Sequence, residues 1–128
     1  MNNKFNTCLD LDARRVNKNV KIDLLGKSSI TITGATGLIG LNIIMAIIFH
    51  NINSPKNKIK INALSLNKPR GLFKKILNLS NINMIVGNIT DPLFVNSIPS
   101  SDYIVHAAGY AEPMKFIKNT PKVFMIYR

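Results

Sequence analysis

The chain has 128 residues, a formal net charge of +11 and 46% hydrophobic residues, which favours one folded domain and excludes a largely disordered chain. Its lysines form no block of five or six, so the charge favours a solvated basic surface over a nucleic-acid partner. Cys8 is the single cysteine and the longest apolar run covers residues 38–49, which excludes a disulfide framework and a membrane span. We therefore expect a cytoplasmic chain without a membrane partner.

Residues 1–27 are polar with sparse hydrophobic residues. The spacing of these hydrophobic residues within 8–18 suits an amphipathic helix, and Gly26 and Lys27 then interrupt the pattern. We predict an N-terminal extension that docks on the main domain; partial disorder is the alternative that the composition leaves open.

Strand and helix patterns alternate from residue 30 onward. Predicted strands cover 30–33, 59–66, 82–86 and 103–107, and predicted helices cover 37–50, 72–79 and 92–97. No two-residue hairpin turn separates the strands, which predicts βαβ units with right-handed crossovers and helices on both faces. The predicted fold class is α/β, a partial Rossmann-type parallel sheet with flanking helices. Residues 112–118 are predicted to begin a further helix, and 123–127 form an apolar tail.

Three glycines, Gly34, Gly37 and Gly40, follow the first predicted strand and open the first long helix. Gly34 would allow the tight turn, Gly37 would let a pyrophosphate approach the backbone, and Gly40 would permit close helix–strand packing. The N-terminus of the helix would present its free N–H groups and its dipole to the anion. The pattern predicts phosphate binding, and the alternative is a tight turn without a ligand.

The spacing of these glycines carries a resemblance to a known family. Residues 33–40 read TGATGLIG, which closely resembles the short-chain dehydrogenase/reductase superfamily and, more narrowly, its extended branch, the NAD-dependent epimerases and dehydratases of nucleotide sugars. Residues 86–91 (VGNITD) resemble the family's loop after the third strand, and residues 102–109 (DYIVHAAG) its fourth-strand motif. Pro113, Phe116 and Asn119 resemble the start of the next helix.

The sequence divides into three regions, of which the resemblance covers the second, and the resemblance implies a site for NAD or NADP. The regions are an N-terminal extension (1–27), a partial dinucleotide-binding Rossmann domain (28–120) and an atypical tail (121–128). The implied cofactor-binding residues are Gly34, Thr36, Gly37, Leu38, Ile39 and Gly40 for the pyrophosphate, Asn88 and Ile89 for the adenine, Asn67 for a ribose hydroxyl, and Ala107, Ala108 and Gly109 for the wall near the nicotinamide ribose.

Two positions depart from the family pattern. The family usually has Asp where Asn88 stands, and the Asn carbonyl is expected to accept from the adenine amine instead. NAD-preferring members carry an acidic residue after the second strand, whereas residues 65–70 contain none. Lys68 and Arg70 would meet a 2′-phosphate, which favours NADP; the alternative is that both are ordinary turn cations.

Three further residues invite a catalytic interpretation, and a structural one is favoured for each. His106 is predicted to be partly buried and to fix local hydrogen bonds rather than to act as a general base. His50 is expected to cap carbonyls where the first long helix ends, and Asp91 to cap the short helix at Pro92. Two lone histidines do not predict a metal site.

The family's catalytic Tyr-x-x-x-Lys motif is missing from the sequence. None of Tyr103, Tyr110 and Tyr127 has a lysine four residues later. The expected function is therefore the NAD(P)-binding N-terminal part of a nucleotide-sugar epimerase, dehydratase or decarboxylase, truncated and inactive alone. The alternatives are a non-catalytic dinucleotide-binding module or a subunit completed by another chain, and a nucleic-acid binder whose affinity falls steeply with salt. A second copy of the chain, in a homo-oligomer, is a further partner to test.

Overall fold

The computed structural model describes residues 8–79 and 82–109. The expectations for residues 112–118, 121–128 and 123–127 lie outside this described part. The helices and strands are α1 (Cys8–Asn19), a 3₁₀ turn (Ile22–Leu25), β1 (Ser29–Thr33), α2 (Leu38–Asn53), β2 (Lys60–Ser65), α3 (Gly71–Leu79), β3 (Ile82–Val86), α4 (Pro92–Ser97) and β4 (Tyr103–His106).

The four strands form one parallel sheet in the order β3-β2-β1-β4. This confirms the predicted α/β fold, a partial Rossmann-type parallel sheet with flanking helices. The chain moves from β1 outward to β2 and β3 and then returns to the other side of β1 for β4. All four carboxyl ends therefore lie at one edge of the sheet, and the strand order reverses between β1 and β4, where ligands bind in open α/β sheets.

One face of the sheet is apolar and lies under α2. Ile32 of β1 and Ala63 of β2 are side by side in the register and fully buried, and Ile44 of α2 packs in the same cluster. Burial of the two isoleucines drives the docking of α2, because each contributes on the order of 2 kcal/mol.

The other face carries a polar row across three strands. Thr31, Asn62 and Asn83 are register partners. The Asn83 amide donates to Asn62 Oδ1 at 2.9 Å, and the Asn62 amide donates to Ser101 Oγ at 3.1 Å. These bonds hold the segment before β4 against the sheet, which fixes where β4 starts.

The N-terminal helix α1 packs on the outer side of α2, as the prediction of a docked extension anticipated. The Asn17 amide donates to the Ala46 carbonyl at 2.9 Å, and the Arg14 guanidinium lies 5.4 Å from the ring centroid of Phe49. Ala13 is buried in a second cluster with residues of α2 and α3. This packing explains why α2 is apolar all round: one side faces the sheet and the other faces α1.

The boundaries lie within one residue of the sequence prediction except the end of α2, which lies three residues beyond it. Helix α2 continues to Asn53, beyond the predicted end at His50, because the Ser54 N–H still bonds the His50 carbonyl at 2.8 Å. Strand β2 ends at Ser65, since its hydroxyl donates to the Asn67 carbonyl at 2.5 Å and closes a turn.

The role expected for His50 is wrong in detail. Its ring is buried, with Nε2 3.0 Å from the Asn57 carbonyl and Nδ1 3.4 Å from Asp23 Oδ1. The imidazole therefore joins the last part of α2 to the following loop and to the 3₁₀ turn, rather than capping its own helix. Within residues 8–79 and 82–109, no helix has the length and apolar character that crossing a bilayer requires.

Candidate functional site

The turn after β1 requires glycine at Gly34. Its backbone has φ +66°, in the left-handed region that side chains other than glycine rarely adopt. A Cβ placed here would lie 2.6 Å from the Ala107 carbonyl oxygen. The turn therefore runs directly against the segment that follows β4, and it can do so only without a side chain.

Gly40 allows the first turn of α2 to pack on the same turn. A Cβ at this position would lie 2.4 Å from the Gly34 carbonyl oxygen and 2.9 Å from the Ala35 Cα. The close approach predicted for this glycine is thus present, and it involves the turn itself. The Ala35 N–H donates to the Leu64 carbonyl at 2.9 Å, which ties the turn to the end of β2.

Gly37 lies where the N-terminus of α2 opens to solvent. It is the N-cap residue, with extended backbone geometry and no side-chain cap bond. A Cβ here would approach only the Gly34 carbonyl oxygen, at 3.2 Å. In the described part, the N–H groups of the first turn are left for a ligand, and the helix dipole favours an anion there. The side chains of Leu38 and Ile39 are exposed.

A cavity of about 680 Å³ lies at the carboxyl ends of the strands. It is lined by Gly34, Thr36, Gly37, Leu64, Ser65, Leu66, Gly87, Asn88, Ile89, Thr90, Ala107, Ala108 and Gly109. The structure thus brings together eight of the twelve residues predicted to bind a cofactor. Leu38, Ile39, Gly40 and Asn67 are not part of this lining, and their binding roles stay predictions.

Five lining residues were not predicted: Leu64, Ser65, Leu66, Gly87 and Thr90. They occupy the last positions of β2 and the loop after β3. The sequence contains a signal that could have found them, because the carboxyl ends of parallel strands meet at one edge of the sheet. The family motifs pick out single positions in these segments and pass over their neighbours.

The wall after β4 is fixed by Thr33. Its buried hydroxyl accepts from the Ala108 N–H at 3.2 Å and lies 2.9 Å from His106 Nδ1. Its carbonyl accepts from the Ala107 N–H at 3.3 Å. The local hydrogen bonding expected of His106 is confirmed. The expected partial burial is wrong: the residue is exposed, because it ends β4, whose strand partner within residues 8–79 and 82–109 is β1 alone.

In the loop after β3, the Asn88 side chain bonds within the loop, which changes the contact expected between it and adenine. The Asn88 Oδ1 accepts from the Thr90 N–H at 3.0 Å and from the Thr90 hydroxyl at 2.9 Å. The oxygen that was expected to accept from adenine is thus already engaged in a local turn. The Nδ2 amide is the part of this side chain that remains to donate to a ligand.

Two further residues shape this loop. Asp91 Oδ1 accepts from the Leu93 N–H at 2.9 Å at the start of α4, which confirms the predicted N-cap. A Cβ at Gly87 would lie 2.2 Å from the ring of Phe94. Phe94 of α4 therefore packs directly on the loop that borders the cavity, and its ring would have to shift for a larger residue at this position.

The end of β2 provides the remaining side of the cavity. Ser65 is buried and its carbonyl accepts from the Gly87 N–H at 3.0 Å, which joins the β2 and β3 ends. Asn67, Lys68 and Arg70 are exposed beyond this point. Neither cation has an ion-pair partner within the described ranges, so both are available to an anionic ligand.

The described lining contains no charged or titratable side chain. Attraction for an anion would come from backbone N–H groups and from the cations beyond β2. Such a site can bind and orient a ligand, whereas proton transfer would need groups from elsewhere. The fold and the cavity together define a parallel α/β protein with a glycine turn at its switch point. Models of known families, curated proteins and solved structures give no match to the chain.

Proposed function

We propose that the chain binds NAD or NADP in this cavity, as the cofactor-binding part of a nucleotide-sugar epimerase or dehydratase. The observation that carries the proposal is the junction of the glycine turn with the uncapped N-terminus of α2, open to a cavity at the reversal of strand order. Dinucleotide pyrophosphates bind at such junctions because the N–H groups and the helix dipole both favour negative charge.

The shape of the cavity supports a ligand with a phosphate centre and two flanking groups. Its volume of about 680 Å³ lies within the range of small-molecule sites. The pyrophosphate would lie on Gly34 and Gly37, and the adenine between Leu66 and Ile89, whose side chains supply apolar contact. The second ribose would lie along the segment after Ala107, which Thr33 fixes.

The proposal is limited to cofactor binding and does not include turnover of a substrate by these 128 residues. The sequence holds no Tyr-x-x-x-Lys, and the described lining supplies no acid or base. Hydride transfer to the cofactor would need a group that takes the hydroxyl proton of the sugar. Of the lining residues, only hydroxyl and amide side chains are polar, and these orient rather than deprotonate.

The cations after β2 favour NADP over NAD. No carboxylate follows β2 to hold two ribose hydroxyls, and Lys68 and Arg70 are exposed beside Leu66 of the cavity lining. A 2′-phosphate would gain charge-assisted hydrogen bonds from them. Replacement of both by Gln should equalise the affinities for NADP and NAD, whereas unchanged preference would show that the two are ordinary turn cations.

Titration calorimetry with NAD and NADP tests the proposed binding. Gly37→Ala places a methyl group on the cavity wall with one close contact, at 3.2 Å, and should weaken binding about tenfold, which is about 1.4 kcal/mol. Asn42→Ala on the same helix is the control, since its amide bonds the Leu38 carbonyl within its own turn and Asn42 does not line the cavity. Absence of heat with either dinucleotide on folded protein would remove the proposal.

A further inference from the structure

The amino-terminal end of the sheet gathers five lysines that lie apart in the sequence. Lys21 precedes the 3₁₀ turn and Lys27 follows it. Lys56 and Lys58 lie in the connection between α2 and β2, and Lys60 is the first residue of β2. The Lys27 N–H donates to the Lys58 carbonyl at 3.1 Å, so the two segments run side by side. All five residues are exposed. We call this set the basic edge.

The two carboxylates near the basic edge, Asp23 and Asp102, offset its charge only in part, and Asp102 feels the charge of Lys60. None of the five lysines forms an ion pair within residues 8–79 and 82–109. Asp23 is turned to the His50 ring at 3.4 Å. Asp102 accepts from the Ser29 N–H at 2.7 Å and from its hydroxyl at 2.8 Å. The edge therefore presents a net positive field to solvent.

Exposed aliphatic side chains accompany these lysines. Leu24 is 79% exposed and Val20 is 54% exposed, on either side of Lys21 in the sequence. Ile52, also 54% exposed, lies in the last turn of α2, against which the 3₁₀ turn is held by the contact between Asp23 and the helix. Cations interspersed with exposed aliphatic groups are typical of surfaces that bind an anionic bilayer.

The composition of the edge favours a bilayer over nucleic acid. Residues 20–28 and 51–60 contain no arginine and no aromatic residue. Base edges are read chiefly by arginine and amide side chains, and single strands stack on aromatic rings. Large aliphatic side chains in water have no role in a phosphate contact, whereas they gain free energy in the interfacial layer of a bilayer.

The backbone at Lys27 adds a second observation. Its φ is +63°, in the left-handed region, and it is the single residue other than glycine with positive φ in the described part. A side chain there costs about 1 kcal/mol relative to glycine. A glycine or asparagine would hold the same turn at lower cost, and the lysine instead adds a fifth cation to the edge.

We propose that the basic edge is a docking surface for an anionic lipid bilayer, which departs from the sequence-based expectation of a chain without a membrane partner. The ammonium groups would contact headgroup phosphates and carboxylates, and Leu24, Val20 and Ile52 would enter the interfacial layer. The edge is at the opposite end of the parallel strands from the cavity. Docking and dinucleotide binding are therefore independent, and either can fail without the other.

Co-sedimentation of the full chain with vesicles tests the docking surface. Vesicles of phosphatidylcholine alone are compared with an equal mixture of phosphatidylcholine and phosphatidylserine, at two salt concentrations. Binding is expected only to the mixture and should weaken with salt. The double variant K56Q/K58Q should lose about 30-fold in affinity, from about 1 kcal/mol per lysine. K74Q/K75Q on α3 has the same net charge, and its affinity should stay close to that of the original chain.

A matched pair of single variants tests the contribution of the aliphatic side chains to vesicle binding. Leu24→Ser should weaken vesicle binding by about tenfold, whereas Leu93→Ser should leave it unchanged, since Leu93 is 81% exposed on α4. Circular dichroism checks that all variants fold. Equal losses for both lysine pairs, or no binding to the mixture at low salt, would overturn the proposal. The proposal would also be overturned if K56Q/K58Q lost affinity for a DNA duplex or an RNA strand while its vesicle binding stayed unchanged. That outcome would assign the edge to nucleic acid.

Discussion

The substitution Gly40→Ala should destabilise the fold although it improves the helix. In the interior of a helix, alanine is favoured over glycine by about 1 kcal/mol. At Gly40 the new methyl group would lie 2.4 Å from the Gly34 carbonyl oxygen and 2.9 Å from the Ala35 Cα. Both neighbours are backbone atoms of a turn held to β2, so they cannot rotate away. Overpacking of this kind costs about 1–3 kcal/mol and occasionally more.

Because the 2.4 Å approach is to a backbone oxygen, the upper end of this cost applies, and less the helix gain it leaves a loss of about 2 kcal/mol in the free energy of unfolding. Urea denaturation followed by circular dichroism measures it, as a lower midpoint at constant slope. Asn42→Ala is the control on the same helix: its amide bonds only the Leu38 carbonyl within its own turn, so alanine should be neutral or slightly stabilising. A Gly40→Ala protein as stable as the original would refute the reasoning that backbone contact requires this glycine.

Three further outcomes are expected at other sites. Thr33→Val leaves the Ala108 N–H without its acceptor and should lower stability by about 1–3 kcal/mol and weaken dinucleotide binding, measured by urea denaturation and calorimetry; a change in neither would remove Thr33 as the support of the wall. Asp91→Ala removes the N-cap of α4 and should cost about 1 kcal/mol in the same denaturation assay, whereas an unchanged midpoint would show that the cap is dispensable. The pKa of Asp102 is lowered by the N–H and hydroxyl of Ser29, and to a smaller extent by a nearby lysine. Its stabilising effect is therefore complete above about pH 4 and is lost as pH falls through the lowered pKa, so Asp102→Asn should flatten the fall of the urea midpoint between about pH 4 and pH 2; equal slopes would contradict this.

The elements and the parallel direction of the strands could be predicted because their signals are local. Hydrophobic periodicity marks each strand and helix, and the absence of hairpin turns leaves parallel crossovers. The glycine spacing likewise fixes the turn at Gly34 and the packing at Gly40, since both depend on backbone within a few residues. The N-cap role of Asp91 could likewise be predicted from its place before Pro92.

Residues that depend on tertiary contact were missed or assigned a different role. Gly87 lies against the ring of Phe94, and neither residue signals this contact alone. Ser65 borders the cavity through the alignment of β2 with β3. Asn88 is an exception, because its pairing with Thr90 two residues later is a local pattern that sequence reasoning can include.

The charge distribution needs the same distinction between local and tertiary signals. The sequence contains no long run of like charges, and this local signal predicts scattered lysines on a solvated surface. Parallel strands, however, all begin at one edge, so short connections such as residues 54–59 and 26–28 meet there. Lys27 and Lys58 lie 31 positions apart in the sequence and are joined by a backbone hydrogen bond. In a parallel α/β fold, lysines just before successive strands therefore count as one cluster, and their sequence spacing underestimates the local field.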